Sequence, residues 1–270
     1  MKFCKMNGCG NDYIFVYLPE NKVTNPKELA VRLSERHFGV GSDGLVLIDK
    51  SQLADCSMRI FNADGSEANM CGNALRCAAK YIYDRGFVTK DEVSVCTLAG
   101  VKTVRLDING GKAESAKADL GAPSLMKLGG KRAVSRTVTA GGKEYEITPI
   151  DVGNFHAVRF VKRITQKEMG IAKAISTNCP QFPDGVNVEV ARVIDRGNIE
   201  VRVYERGSGE TLACGTGAAA TLFAAFLKGL TGPKANIILP GGVLEVEYIK
   251  GRVYVKGPAK VNFEGEIKDL

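Results

Sequence analysis

The chain reads as an α/β (α+β) protein built from two pseudo-symmetric, duplicated domains, and three observations in its 270 residues lead there. The first is an internal repeat. At an offset of 143 residues, Cys214-Gly215-Thr216 falls on Cys71-Gly72-Asn73, Glu210 on Glu67, Tyr204 on Phe61, Arg202 on Arg59 and Gly153-Asn154 on Gly10-Asn11. A period this long marks two domains rather than a solenoid. The second observation is a series of short stretches alternating apolar and polar residues, the strand period, with few helical stretches between them. The third is Thr216–Leu227, which is apolar on nearly every face. A helix of that kind is buried, so sheet should wrap around it.

The elements follow in order. Residues 2–5 and 13–18 read as strands around a loop, Met6–Asp12, whose two glycines give it turn character. Pro26–His37 is an amphipathic helix with Asn25 as N-cap and Leu29, Ala30, Leu33 and Phe38 at core spacing. A glycine-rich turn and a strand come next, then a strand at Cys56–Asn62 and a helix over Ala74–Tyr83 that ends near Arg85-Gly86. Val93–Cys96 and Val101–Ile108 complete the first half. In the second, strands are expected at Lys143–Ile150, Ala157–Val161, Val186–Ile194 and Ile199–Tyr204. After the buried helix come Asn236–Leu239, Val243–Tyr248 and Arg252–Lys256. The halves are expected at residues 1–118 and 119–261, with 262–270 returning to the first. The weakest boundary is the Gly/Lys-rich stretch Gly121–Gly130.

Composition removes several function classes. With 44% hydrophobic and 25% charged residues the chain is ordinary for a globular protein. Its start lacks a signal-peptide core and no run of 18 apolar residues occurs, so a cytoplasmic location without membrane contact is expected. The net charge of +7 is modest, and Lys and Arg are scattered. Nucleic acid is therefore not the expected partner, whereas a carboxylate-bearing small molecule suits a mildly positive field. Eight cysteines stand singly without a CxxC pair, and Cys4, Cys9, Cys56, Cys77, Cys96 and Cys179 read as buried, inert side chains.

Cys71 and Cys214 differ, because each stands just before a helix. There the unpaired N–H groups and the positive end of the helix dipole favour a thiolate. Gly72-Asn73 and Gly215-Thr216 offer N–H groups to an anion at the same places. If the halves face each other, a carboxylate held at the helix ends has a thiol on either side of its α-carbon. One thiolate then removes a proton from one face while the other thiol returns one to the opposite face, and the donors stabilise the charge that develops. His156 follows the repeated Gly-Asn and is placed to tune a thiol proton. Glu205 and Arg206 end a strand nine residues before Cys214, and Arg206 suits a second carboxylate by bidentate pairing. Asn11, Asn62, Asn154 and Asn187 together suggest an amide-lined pocket. Glu67 and Glu210, four residues before each cysteine, read as braces of the loop.

The segments KMNGCGNDY, FNADGSEANMCGNALRC, DVGNFHAV, FPDGVNVEV, YERGSGETLACGTGAA and LPGG, in order along almost the whole chain, resemble the motif series of the diaminopimelate epimerase family. The resemblance implies two domains, each a barrel-like sheet around a central helix, with the active site in the cleft between them. It also implies interconversion of LL- and meso-2,6-diaminopimelate in lysine and cell-wall synthesis, without pyridoxal phosphate, metal or other cofactor, by a homodimer. On this resemblance Cys71 and Cys214 are the acid/base pair, assisted by His156 and Glu205. Gly72, Asn73, Gly215 and Thr216 hold the reacting carboxylate, and Asn11, Asn62, Asn154, Asn187, Glu205 and Arg206 line the rest of the site. The chain departs from the pattern at Asn7 (usually His), Ala74 (Gly), Phe155 (Pro) and Gly44 (Gln in some members). Two other readings stand beside this one. The first is a cofactor-independent two-cysteine racemase acting on histidine, proline or hydroxyproline, for which the distal polar group Arg206, Asn62 and Asn187 is unsuited. The second is a thiol redox sensor, which leaves the repeated glycines and asparagines unexplained.

Overall fold

The structure is a computed structural model that describes residues 1–268. In chain order its elements begin with β1 (Lys2–Gly8), β2 (Asn11–Tyr17), α1 (Pro26–Ser34), β3 (Gly44–Asp49), β4 (Cys56–Asn62), β5 (Glu67–Ala68) and α2 (Gly72–Asp84). Next come β6 (Glu92–Thr97), β7 (Gly100–Asn109), β8 (Lys112–Gly121) and the short strands β9 (Ser124–Leu125), β10 (Lys127–Leu128) and β11 (Lys131–Arg132). They are followed by β12 (Arg136–Ala140), β13 (Lys143–Asp151), β14 (Phe155–Phe160), α3 (Gln166–Asn178), β15 (Asn187–Asp195), β16 (Asn198–Glu205) and β17 (Gly209–Thr211). The last are α4 (Gly215–Leu227), β18 (Lys234–Leu239), β19 (Gly242–Ile249), β20 (Arg252–Pro258) and β21 (Lys260–Glu266). The protein is thus a mixed α/β chain, mostly sheet.

It divides into two compact units, residues 1–118 with 256–268, and residues 119–255. Residues 256–261, read from sequence with the second half, cluster with the first, because β21 runs antiparallel along β1 from Lys2↔Glu266 to Asn7↔Lys260. Residues 269–270 of the expected returning tail lie outside the described residues.

In the first unit α2 packs against β1, β2, β4, β6 and β7; in the second α4 packs against β13, β14, β15, β18 and β19. The difference in sequence between these helices is a difference in charge, not in burial. Arg76 of α2 is fully buried, as are Ala74, Leu75 and Ala78, and Lys80 at the helix edge binds Asp84 at 2.6 Å. The repeat is visible in the pairing registers. Parallel β2–β3 pairs Tyr13 with Gly44, and parallel β14–β15 pairs His156 with Asn187. Phe61 faces Leu45 and Glu67, just as Tyr204 faces Val188 and Glu210. Each pair is the other moved by 143 residues.

Two local readings need correction. Met6–Asp12 is not a loop: β1 and β2 run through it as a hairpin paired from Cys4↔Phe15 to Gly8↔Asn11. Its two-residue turn puts Cys9 and Gly10 at positive φ (55° and 82°), as a tight turn matching the strand twist requires. Helix α1 ends at Ser34, and Phe38 is 94% exposed rather than in the core. Ala30 and Leu33 do enter the core, and the Asn25 side chain caps the helix by accepting from the Glu28 N–H.

Candidate active site

Each repeat-related helix begins on a cysteine with extended backbone: Cys71 at φ −137° and Cys214 at φ −125°. The two thiols are held differently. Cys214 is buried, and its Sγ accepts the Gly217 N–H at 3.3 Å, so the sulfur itself caps α4. Thr216 Oγ1 lies 3.4 Å away from the same sulfur. Burial pushes the Cys214 thiol well above its ordinary range, and the nearby carboxylates of Glu205 and Glu189 push it further. Cys71 is half-buried, and its thiol donates to Asn11 Oδ1 at 3.4 Å.

Around Cys71 the side chains form a directed chain of hydrogen bonds. Arg76 Nη2 donates to Asn73 Oδ1 (2.8 Å), and Asn73 Nδ2 donates to Asn11 Oδ1 (3.2 Å). Asn11 Nδ2 in turn donates to Asp43 Oδ2 (2.8 Å). A guanidinium has no acceptor and a carboxylate no donor, so the two ends fix which way both amides point. Asp43 sits above the usual carboxylate range because it is buried, although the N–H groups of Asp12 and Asn11 partly offset this. Arg36 approaches it at 3.4 Å. Tyr13, on the same face of β2 as Asn11, is buried, and burial together with the neighbouring Cys71 thiol pushes its phenol well above the ordinary range. Asn62 bonds Ser66 Oγ at 3.0 Å across its own turn.

The second unit assembles a different set. His156 and Glu189 are both fully buried, with Nδ1 and Oε1 2.7 Å apart. His156 Nε2 meets Asn154 Oδ1 at 3.0 Å, and Asn154 Nδ2 donates to Thr216 Oγ1 at 3.3 Å. His156 therefore reaches Cys214 through Asn154 and Thr216. Glu205 accepts a hydrogen bond from Thr211 Oγ1; burial raises its carboxyl, and Thr211 and the nearby Cys214 thiol partly offset this. Asn187 is buried and its Oδ1 accepts the Arg206 N–H at 2.8 Å. The Arg206 side chain is exposed, with Nη1 3.3 Å from the Asp184 carbonyl.

Glu67 and Glu210 pair with Arg59 (2.7 Å) and Arg202 (2.6 Å) across their hairpins, so both brace the loop that carries a cysteine. The departures from the family pattern also find places. Asn7 accepts the Gly10 N–H at 3.2 Å and donates to Asn262 at 2.7 Å, tying the hairpin turn to β21. At Gly44 a Cβ would come within 2.2 Å of the Phe61 carbonyl oxygen and 3.1 Å of the Tyr13 ring, so this backbone admits no side chain there. Ala74 is fully buried, and Phe155 is 51% exposed.

Glu189, Tyr13 and Arg76 were not anticipated from sequence. Glu189 has a signal, a carboxylate at an inward position of the apolar strand VNVEVARV. At Gly217 a Cβ would come within 2.6 Å of Glu189 Oε1, so the glycine lets the carboxylate reach the first turn of α4. Tyr13 stands one repeat before His156, an alignment that exposes it.

The family model described as diaminopimelate epimerase matches residues 3–126 and 148–261. A diaminopimelate epimerase of Acetivibrio thermocellus is 47% identical over 275 residues, covering 99% of this chain and 98% of the relative. One of Methanococcus maripaludis is 44% identical, covering 99% of both chains. Among solved structures, a phenazine biosynthesis protein of the PhzF family from Bacillus anthracis superposes with a TM-score of 0.72 at 14% identity, covering 100% of this chain and 99% of that one. A probable proline racemase from Agrobacterium radiobacter does so with 0.71 at 16% identity, covering 99% and 92%. At such identities these two likenesses speak to the fold alone.

Proposed function

Since the chain belongs to the diaminopimelate epimerase family, we propose that it interconverts LL- and meso-2,6-diaminopimelate by moving protons through Cys71 and Cys214. The observation that carries this reading is the placement of both cysteines at the N-caps of repeat-related helices, each beside a cluster of buried polar side chains. A thiol serves one face of the α-carbon, and the other thiol serves the opposite face. The N–H groups of Gly72-Asn73 and Gly215-Thr216 receive the reacting carboxylate and stabilise the carbanion's charge. Acid, base and electrostatic parts thus come from side chains and backbone, and the reaction needs neither pyridoxal phosphate nor metal. Glu205, beside Cys214, holds that thiol's proton in place. His156 works at one remove, orienting Asn154 and Thr216. Asn11, Asn62, Asn154, Asn187 and Arg206 bind the remainder of the substrate. The enzyme acts as a cytoplasmic homodimer on a small molecule, with no nucleic acid or membrane partner.

Incubating purified protein with LL-diaminopimelate in D₂O tests the reading. The expected result is α-deuterium in the product and approach to a mixture of LL and meso isomers without added cofactor. Deuterium-free, unchanged substrate would overturn it. A second expectation concerns the distal end. Arg206→Ala removes the charge-assisted partner of the substrate's second carboxylate, a loss of about 2 kcal/mol or more. KM should then rise roughly thirtyfold with kcat much less affected. Steady-state kinetics with an unchanged KM would place Arg206 outside substrate recognition.

A further inference from the structure

The Cys214 sulfur has two neighbours able to donate to it. The Gly217 N–H reaches Sγ at 3.3 Å, and Thr216 Oγ1 lies 3.4 Å away. The second contact can run either way, from thiol to hydroxyl or from hydroxyl to sulfur. The groups behind Thr216 decide between them. Asn154 turns Nδ2 to Thr216 Oγ1 at 3.3 Å, and an amide N–H only donates, so the hydroxyl accepts there and its own proton points elsewhere. Asn154 is exposed, so its partners, not packing, fix which way the amide faces. Its Oδ1 meets His156 Nε2 at 3.0 Å; an amide oxygen has no proton to give, and the ring nitrogen must carry one. The ring is held in turn, with Nδ1 2.7 Å from Glu189 Oε1 and both side chains fully buried. Glu189 reaches this place because Gly217 lacks a Cβ, which would stand 2.6 Å from Oε1.

We propose that Thr216 is a positioning residue for the reaction: its hydroxyl donates to Cys214 Sγ and holds the thiolate, in a direction set by the buried Glu189–His156 pair through Asn154. Burial, then Glu205 at the end of β16 and Glu189 on β15, oppose ionisation of this thiol, and the Thr216 and Gly217 donors work against them. His156, on β14, faces Glu189. A thiol that both gives and takes a proton needs such a counterweight. The inference rests on the reading of Cys214 as a proton carrier. It concerns the Thr216 side chain, not the N–H that receives the substrate carboxylate.

Thr216→Val removes the hydroxyl and keeps the shape. Alkylation of each cysteine by iodoacetamide near neutral pH, followed by peptide mass spectrometry, reads thiolate without turnover. In the variant Cys214 should label about tenfold more slowly, Cys71 should label as in wild type, and Thr216→Ser should restore the rate. The pH profile of kcat/KM should move upward with Cys214. Asn154→Asp supplies the coupling. A carboxylate accepts from His156 and Thr216 alike, so the hydroxyl turns away from the sulfur. Adding Thr216→Val to Asn154→Asp should then slow labelling by less than about twofold. Nitrogen NMR of isotopically labelled histidine, with exposed His37 as the second signal, should show a proton on His156 Nε2 in wild-type protein. A folded Thr216→Val protein that labels Cys214 at the wild-type rate, equal Thr216→Val effects in both backgrounds, or a bare Nε2 overturns the proposal. Where valine unsettles the first turn of α4, Thr216→Ala removes the same hydroxyl. Failure of the epimerase reading would show separately, as absence of turnover in wild-type protein whose Cys214 still labels faster than that of Thr216→Val.

Discussion

Cys71→Ala and Cys214→Ala should each abolish isomer interconversion, and the double variant should be little worse than either single one. Inversion at an α-carbon needs a proton carrier on both faces, and neither water nor a neighbouring side chain replaces a thiol held at a helix N-cap. Residues that act as one unit are strongly non-additive, so a loss of several orders of magnitude appears with the first substitution. The second then finds nothing left to remove. The surviving thiol still exchanges the α-proton on its own face. In D₂O each single variant should therefore label one isomer without converting it, and the labelled isomer identifies the thiol that serves it. The environment of Cys214 bears on Cys→Ser there: the thiol is buried among carboxylates and favours its protonated form, so a hydroxyl departs little from that resting state. Full interconversion by either alanine variant, measured by chiral separation of the product, would falsify the two-thiol mechanism.

Glu189→Ala is expected to lower the stability of the protein by about 3–5 kcal/mol, because it strips one partner from a fully buried pair. His156 Nδ1 then faces a cavity where Oε1 stood at 2.7 Å, in a site with no surface exposed to bulk water. His156→Ala leaves the carboxylate stranded at similar cost. Glu189 Oε2 already has no hydrogen-bond partner, so the pair has no reserve. Urea denaturation of the two single variants and the double variant decides the matter. If the pair is the reason for the cost, the double variant is far more stable than the sum of singles implies. Additive losses would mean that each side chain is held by packing alone. Activity should fall with Glu189→Ala even where the protein stays folded, since His156 no longer fixes Asn154 against Thr216.

Much of this was legible in the residues because a duplication checks itself. A single Cys-Gly before a helix says little, but two at one offset predict equivalent places, and the strand registers agree with that offset. The buried character of α4 was written in its lack of a polar face. What escaped was polar residues turned inward. Arg76 puts a charge in the middle of α2, yet its guanidinium is fully buried, bonded to the Gly72 carbonyl and the Asn73 amide. Hydropathy patterning assumes that charge faces water, and it fails where a charge is there to orient neighbours. Glu189 was hidden for the same reason. Phe38 failed in the opposite direction: spacing placed it on the apolar stripe, but α1 stops four residues earlier and the chain turns away, with the Gly39 N–H bonded to the Glu35 carbonyl. Met6–Asp12 was misread because its glycines sit within and beside a two-residue turn, where strand pairing continues to the last residue.

The pairing of β21 with β1 bears on how the protein is made. The first unit takes its edge strand from the far end of the chain, and Met1 bonds Ile267 across nearly the full sequence. During synthesis from the amino end, β1 therefore waits with one edge open until more than two hundred further residues have been added. Residues 119–255, in contrast, are contiguous and can gather their core as they emerge. The domain encoded second is thus the one able to finish first, and the earlier half closes only once β21 has been made.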